Sequence, residues 1–446
     1  MKNPLKPVYM NNLFFKVLAA LGILFVLAHI WGFLFPFGVL ALGLFVCLLV
    51  VDALMLFKRA NRHSVKARRL AADRFSNGDP NRVTLEVESL FPFDIKVVMI
   101  DEIPVQFQKR DFFQKFRLKR GQTYQWHYDL TPLTRGEYQF GALHLYITGI
   151  IGFLARRYSF EQDVSIKVYP SFIQMRHYEL MAISNRLSEV GIKKIRRVGR
   201  HMEFDQIRDY SKGDDIRTIN WKATARKGHL MVNQYQDEKS QQVYCIIDMG
   251  RTMQMPFNGM TLLDYAINTS LVISNIAMLK HDKAGLITFN EQVRSMIPAR
   301  QEGHHMHTIM EVLYNQTTGF KEHNLEALYA NVKHHIHHRS LLVLFTNFES
   351  LKSAERELPM LARLASNHLL MVVFFENTEL AGVINHQAED TEAIYLQGIA
   401  EKFIFDKKRI VKELERYGIH AILTDPDKLT IDTMNRYLEF KARGVI

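Results

Sequence analysis

The sequence predicts a membrane protein in three parts: a two-helix transmembrane hairpin, an all-β sandwich-like domain, and an α/β domain with a mostly parallel sheet. Three observations carry that expectation. Nearly every residue from 13 to 57 is apolar. Short runs of alternating apolar and polar residues, separated by turn signals, fill 77–170. Beyond Gln242, strand and helix patterns alternate. At 446 residues the chain is too long for one ordinary core, so several domains are expected. The boundaries that follow are 1–60 for the hairpin, 61–170 for the β domain, 171–240 for a distinctive linking segment and 241–446 for the α/β domain.

The hairpin comes first. Residues 13–31 are interrupted only by Lys16 and His29, and residues 33–57 only by Asp52, with Pro36 and Gly38 marking the turn region. Crossing the hydrocarbon takes about 20 helical residues, so two spans fit. A cleavable signal peptide would have a shorter apolar core and a small-residue cleavage site, and would not be followed at once by another apolar run. Lys2 and Lys6 precede the first span, whereas Lys58, Arg59, Arg62, Lys66, Arg68 and Arg69 follow the second. The connecting turn carries no cation. The positive-inside rule therefore places both flanks, and with them both termini and the soluble domains, on the cytoplasmic side of the membrane.

In the β-rich segment, residues 83–88, 95–100 and 143–147 have strand character. Asn77-Gly78-Asp79-Pro80, Phe91-Pro92, Arg120-Gly121 and Arg135-Gly136 supply the turns between such runs. Spacing of this kind suggests an antiparallel sandwich. No catalytic constellation falls in this segment, so spacing or partner contact is its expected role.

Residues 201–236 form the most distinctive stretch. Asp209, Asp214 and Asp215 alternate with Arg208, Arg217 and Arg226 around Trp221, which has the look of a buried residue. Gly213 allows a turn that a side chain would resist. Paired carboxylates can support acid–base chemistry. Alternating Asp and Arg more often build an ion-pair network that pins a loop, and clustered charges also confer partner specificity.

These residues carry a resemblance. Glu203-Phe204, Arg208-Asp209-Tyr210, Gly213-Asp214-Asp215, Arg217, Ile219-Asn220-Trp221 and Ala225-Arg226 closely resemble, in order, the signature of the bacterial domain-of-unknown-function family numbered 58. The hairpin, the β region with Arg135-Gly136-Glu137-Tyr138, and an α/β domain of von Willebrand A type extend the likeness over the rest of the chain. The resemblance implies a membrane protein often encoded beside MoxR-type AAA+ ATPases, with a biochemical role poorly defined at family level.

In the last region, strands are expected at 243–248, 284–289, 341–346, 369–375 and 420–424. Helices are expected at 262–280, 358–366, 399–417 and 430–441. Such alternation gives a parallel sheet covered on both faces, with ligands at the carboxyl ends of its strands. The first such end is Asp248-Met249-Gly250-Arg251-Thr252. There the von Willebrand A resemblance implies a metal-ion-dependent adhesion site, in which one carboxylate and two hydroxyls hold Mg²⁺ or Mn²⁺ with a Thr and an Asp from later loops. Asp248 and Thr252 remain, but Gly250 replaces the first Ser, and Thr346-Asn347 stands where the second Asp is expected. The loop that should offer Thr carries Glu322-His323-Asn324-Leu325. Asp248, Thr252 and Asn347 are thus the candidate ligands of a degenerate site lacking one negative charge, and ligand charge helps set divalent-ion affinity. Glu349 is the nearest compensating carboxylate in sequence. No resident cofactor is expected, with Mg²⁺ or Mn²⁺ as the alternative.

The histidine clusters at 304–307 and 334–338 raise a second metal possibility, since His334 and His338 would share a helix face. No Cys joins them, so a solvated helix end is the simpler expectation. Cys47 and Cys245 are the only cysteines and imply no disulfide framework. Phosphate loops, His-Glu-x-x-His and Gly-x-Ser-x-Gly are absent from the sequence. The net charge of +11 admits nucleic-acid binding, but no such module is recognisable. The expected function is a membrane-anchored, non-enzymatic adaptor for a protein partner, a MoxR-type AAA+ ATPase. The alternative is a divalent-metal-dependent protein-binding module using the Asp248 loop.

Overall fold

The computed structural model describes residues 8–57, 64–110, 112–160, 164–183, 202–237, 240–319, 321–377, 380, 384 and 391–445. The chain divides into two compact units, Met1–Tyr169 and Pro170–Ile446.

In the first unit a short strand, β1 (Val8–Met10), precedes helix α1 (Asn12–Ile30). The Asn11 side chain caps α1 by accepting the Asn12 N–H at 2.8 Å. A 3₁₀ turn over Gly32–Leu34 leads into α2 (Phe35–Phe57). Pro36 and Gly38 therefore lie inside α2 rather than in the turn. Pro36 falls in the first helical turn, where its missing N–H has no intrahelical partner to lose. Gly38 lets the helices approach, since a Cβ there would stand 3.2 Å from the Phe25 ring. Both helices are long and apolar enough to cross a membrane, and only 11% and 17% of their most apolar windows is buried. Apolar helices left this bare in a folded chain have lipid as their solvent, so the hairpin is a membrane anchor.

The rest of the unit is β-rich. Its strands are β2 (Val65–Leu70), β3 (Arg74–Ser76), β4 (Asn81–Ser89), β5 (Ile95–Asp101), β6 (Phe113–Leu118), β7 (Thr123–Leu130), β8 (Gly136–Phe140), β9 (Leu143–Thr148), β10 (Leu154–Phe160) and β11 (Val164–Tyr169). They form sheets in the orders β1-β10-β9-β5-β6, β2-β4-β7 and β3-β11-β8. Only the β3–β11 pairing is parallel. Burial along β4 and β5 alternates residue by residue, so one face of each strand enters the core. Phe75, Phe91, Val97 and Leu145 lie in that core, and Leu21, Phe45 and Leu56 of the hairpin join it.

A polar dock accompanies the apolar one. The Asp52 carboxylate, fully buried on α2, accepts the backbone N–H groups of Phe153 and Leu154 through Oδ2, both at 2.9 Å. Its other oxygen lies against Gly149, where a Cβ would come within 3.2 Å. Arg156 donates to the Leu56 carbonyl at 3.0 Å and stacks over the Phe57 ring.

Part of the basic run behind the hairpin belongs to this fold. Lys66, Arg68 and Arg69 sit on β2 and pair with Glu88, Glu86 and Asp101. The Arg69–Asp101 pair is buried and also receives the Tyr128 hydroxyl. Lys2, Lys6, Lys58, Arg59 and Arg62 lie outside the described residues, as does the basic run 193–200.

The second unit opens with α3 (Phe172–Ile183) and a hairpin of β12 (Met202–Asp209) and β13 (Met231–Asp237), which embraces α4 (Trp221–Lys227). Next come β14 (Gln242–Asp248), the short pair β15 (Pro256–Phe257) and β16 (Met260–Thr261), α5 (Leu262–Leu279), β17 (Lys283–Phe289) and β18 (Val293–Arg300). They are followed by α6 (His305–Tyr314), α7 (Leu325–His335), β19 (Leu341–Phe345), α8 (Leu351–Asn367) and β20 (Leu369–Phe375). The helix Thr391–Arg416, β21 (His420–Thr424) and the helix Leu429–Arg443 complete it. The main sheet runs β18-β17-β14-β19-β20-β21, parallel throughout except for the edge strand β18. Two buried clusters cover its faces: one centres on α5, and the other contains residues of α7, α8 and the helix Thr391–Arg416. Although α5 is apolar enough to span a membrane, 78% of its window is buried. It is a core helix.

The expected strands of this sheet recur within a residue or two, but β18 and the β12–β13 hairpin were not foreseen. Helix α8 begins at Leu351 instead of 358 because Ser350 caps it, accepting the Ser353 N–H at 3.3 Å.

Candidate functional site

Two places hold the polar residues singled out by the sequence. The first is the loop between β12 and β13. Arg208 at the end of β12 grips Asp214 with both guanidinium ends, at 2.9 and 2.7 Å, and the Ser211 N–H adds a third donor at 2.8 Å. Hydrogen bonds from Arg208 and then Ser211 hold the Asp214 carboxyl below the ordinary range, and the same pair raises Arg208. Gly213 has φ +116°, a conformation other residues resist. Asp215 caps the turn Ile216–Thr218 by accepting the Arg217 N–H at 3.0 Å. Tyr210 closes the loop base through a backbone bond to the Leu230 carbonyl at 2.9 Å. Asn220 caps α4 through the Ala223 N–H, Thr224 accepts the Met231 N–H, and Gly228 ends the helix in the left-handed region.

The network is thus narrower than the sequence suggests. Arg208 pairs with Asp214, while Asp209 takes His229 at 2.8 Å. Arg217 and Arg226 are exposed. Trp221 is exposed too, at 67%, with Ile216 at 70%. This corrects the expectation of a buried tryptophan: α4 is a seven-residue helix that packs on β13 and leaves the Trp221 ring to solvent. The side chains of Glu203 and Phe204 lie outside the described set.

The second place is the carboxyl edge of the main sheet. Asp248 ends β14 fully buried. Its Oδ1 accepts the Gly250 N–H at 2.7 Å, and its Oδ2 accepts the Thr346 hydroxyl at 2.6 Å and the Nδ1 of His323 at 2.9 Å. The far nitrogen of His323 meets the buried Glu357 at 3.1 Å. One imidazole therefore bridges two buried carboxylates. Burial alone would push its pKa down, but the hydrogen bonds and charges of Asp248 and Glu357 outweigh that and raise it to about 10. The ring is an imidazolium at neutral pH. Local structure puts it there: Asn324, the next residue, caps α7 by accepting the N–H groups of Glu326 and Ala327, and its own N–H is tied to Asn290. Gly250 is required by the same packing, since a Cβ there would fall 2.9 Å from Asp248 Oδ1 and 3.2 Å from His323.

Of the other candidate ligands, Asn347 donates to the Thr252 carbonyl at 3.4 Å, and its own Oδ1 accepts from Lys407 at 2.5 Å. Thr252 presents a buried Oγ1 without a hydrogen-bond partner among the described residues, as does Glu357 Oε2. Glu349 turns away to pair with Arg251 at 2.9 Å. Among the described residues no group of three or more His, Cys, Asp and Glu side chains has the arrangement of a metal site. The histidine clusters do other work. His305 is buried and bonds the Ala284 carbonyl at 2.7 Å. Helix α7 ends at His335, so His334 and His338 do not share a helical face.

His323 was the functional residue that sequence reasoning passed over. It was noted only as a departure from an expected Thr, although a basic residue in that loop together with a missing carboxylate elsewhere was the available signal.

Residues 206–393 match the family model described as "Protein of unknown function DUF58", and the signature running from Arg208 to Arg226 lies within them. The uncharacterized protein YeaD of Bacillus subtilis is 26% identical over 41% of this chain and 47% of its own length. The uncharacterized protein Rv1480 of Mycobacterium tuberculosis is 24% identical over 25% of this chain and 35% of its own. The chain therefore spans half or less of the length of these relatives. Among solved structures, an aerotolerance-related membrane protein of Bacteroides fragilis aligns at 13% identity over 46% of this chain and 100% of its own, with a TM-score of 0.28. The conserved hypothetical protein BatB of Bacteroides thetaiotaomicron aligns at 10% identity over 46% of this chain and 100% of its own, with a TM-score of 0.27.

Proposed function

We propose that this protein is a membrane-anchored, non-enzymatic adaptor whose α/β unit, a von Willebrand A-like domain, engages a protein partner on the cytoplasmic side, a MoxR-type AAA+ ATPase. The observation that carries this reading is the exposed Trp221, beside exposed Ile216, on a loop stapled by Arg208 and Asp214. An exposed tryptophan on a pre-ordered loop has the chemistry of an interface anchor: large contact area, with little ordering left to do on binding. The Asp248 cluster supports the same reading. Its carboxylates are compensated from within by His323, so it can brace the sheet edge without a bound ion.

The test is a pull-down from detergent-solubilised membranes, with and without ATP, comparing wild type with Trp221→Ala. The neighbouring ATPase should be recovered with wild type in a nucleotide-dependent manner and fall at least tenfold with the variant. Stability should change by less than about 0.5 kcal/mol, as for other exposed sites. Equal recovery, or no nucleotide-dependent protein with wild type, would sink the proposal.

A second reading, a metal-dependent binding module, is favoured by Thr252 Oγ1 and Glu357 Oε2, buried oxygens without a hydrogen-bond partner among the described residues. It requires Mg²⁺ or Mn²⁺ to displace His323 from Asp248. Calorimetry should then register binding to wild type that Asp248→Ala abolishes, and a flat titration rejects it.

A further inference from the structure

Beside the Asp248 cluster, a cavity of about 370 Å³ opens at the carboxyl edge of the sheet. That volume falls within the range of small-ligand pockets, roughly 300–1,000 Å³. Its walls are largely apolar: Met255, Pro256, Leu262, Phe348, Phe375 and Phe403. Into this lining the helix Thr391–Arg416 brings one cation, Lys407, whose Nζ lies 5.5 Å from the Phe374 ring centre. Its hydrogen bond is to a neutral group, the Asn347 carbonyl at 2.5 Å. An ammonium has three donors and one charge to satisfy, and a neutral amide answers only one donor.

Three carboxylates at this edge of the sheet are committed to other cations. Asp248 and Glu357 share His323, and Glu349 is held by Arg251. Glu376 lines the same cavity, yet among the described residues no carboxylate pairs with Lys407. Thr252, linked to Lys407 through the Asn347 amide, adds a buried hydroxyl oxygen without a partner among the described residues. An apolar cavity whose wall holds a cation paired with no carboxylate among the described residues is complementary to an anion carried on an apolar body, because a charge drawn out of water is costly unless paired.

We propose that this cavity binds a carboxylate set between apolar side chains on a segment of a protein partner, with Lys407 as its counter-charge and Thr252 and Asn347 as its polar contacts. The choice of a protein segment as occupant rests on the adaptor reading; the carboxylate chemistry does not. Lys407 and the apolar walls select an acid flanked by large apolar residues over a neutral isostere of the same shape.

The experiment is calorimetry on the full chain in lipid nanodiscs, with N-acetyl-Leu-Phe-Glu-Leu-amide, its Gln counterpart and octanoate as probes. The Glu peptide should bind wild type at least tenfold more tightly than the Gln peptide, and the ratio should fall to about one in Lys407→Met. That variant removes a half-buried charge and should fold as well as wild type. Asn347→Asp, which neutralises Lys407 from inside, should erase the same preference. Equal binding of the two peptides to wild type overturns the proposal, as does a preference that survives Lys407→Met, or the binding of neither peptide. Octanoate bound through Lys407 with no peptide binding also overturns it, since the occupant is then a small acid. A Lys407-dependent preference for Glu in a chain that recovers no ATPase leaves this site standing and rejects the adaptor reading instead.

Discussion

Asp52 in the first unit and Asp248 in the second are both completely buried, yet they are held in opposite ways. Asp52 ends its search for partners on two backbone N–H groups, those of Phe153 and Leu154. Asp248 takes one backbone N–H and one hydroxyl, and its remaining demand is met by the cation of His323. Neutral dipoles fix where a carboxylate sits; a cation also cancels its charge. Asp52 therefore works as a staple between α2 and the loop before β10. Asp248 is one end of an electrostatic chain that continues to Glu357 and closes the carboxyl edge of the sheet.

Replacing each aspartate by asparagine separates the two cases most strongly. Asp248→Asn removes the charge that answers His323 and places an amide NH₂ among hydrogen-bond donors. Breaking a buried pair from one side costs about 3–5 kcal/mol, and chemical denaturation followed by tryptophan fluorescence should register it. Asp52→Asn keeps an acceptor oxygen for the two backbone donors, so its cost should be about 1 kcal/mol, the difference between a charged and a neutral acceptor. Amide exchange at Phe153 and Leu154 should quicken only modestly. Similar losses at the two positions would break the comparison, because both carboxylates would then be doing the same work.

The second unit should also carry a pH signature that the Asp52 dock gives no reason to expect in the first. His323 is raised from 6.5 to about 10 in the folded chain. Between those values only the folded state holds the proton, so stability falls as pH rises, by about 1.4 kcal/mol per unit. Lys407 moves the other way: burial lowers its amine from 10.5 to about 8. Between those values only the unfolded state holds the proton, so stability rises with pH. Below pH 8 the histidine acts alone, and above it the two slopes cancel until His323 itself titrates. The unit should lose about 2 kcal/mol from pH 6.5 to 8 and then level off to about pH 10. In Lys407→Met the decline should continue through the plateau, and in His323→Gln it should be absent. A wild-type profile flat from pH 6.5 to 8 would show that His323 does not hold its proton between Asp248 and Glu357.

Much of the fold was legible because period and composition speak locally. The apolar run 13–57, the alternation along β4 and β5, and the buried strands β14, β19 and β20 each show their character within a few residues. What was missed depends on distant partners. β18 is an edge strand whose burial is uneven, so no clean alternation marks it. Trp221 was expected inside because aromatic residues usually are, but burial depends on which distant elements pack over α4, and Trp221 is exposed. Arg208, Asp214 and Gly213 are close in sequence and meet in one stapled turn. His323, Asp248 and Glu357 come from a loop, a strand end and a helix, and only the folded sheet brings them together. Gly250 looked like a lost ligand; it is the space that His323 needs.

The smallest expected effect sharpens the same contrast. Thr252 sits on the loop after Asp248, its buried hydroxyl oxygen without a partner among the described residues, while Thr346 carries the hydroxyl that reaches the carboxylate. Thr252→Val keeps the shape and removes an unsatisfied polar atom, so stability should change by less than about 0.5 kcal/mol, and upward if at all. Thr346→Val removes a donor to a buried charge and should cost about 1.5–3 kcal/mol. If Thr252→Val proves as costly as Thr346→Val, the loop hydroxyl has a partner in the working protein. A bound cation would then be the natural candidate, and His323 would have to yield its place beside Asp248.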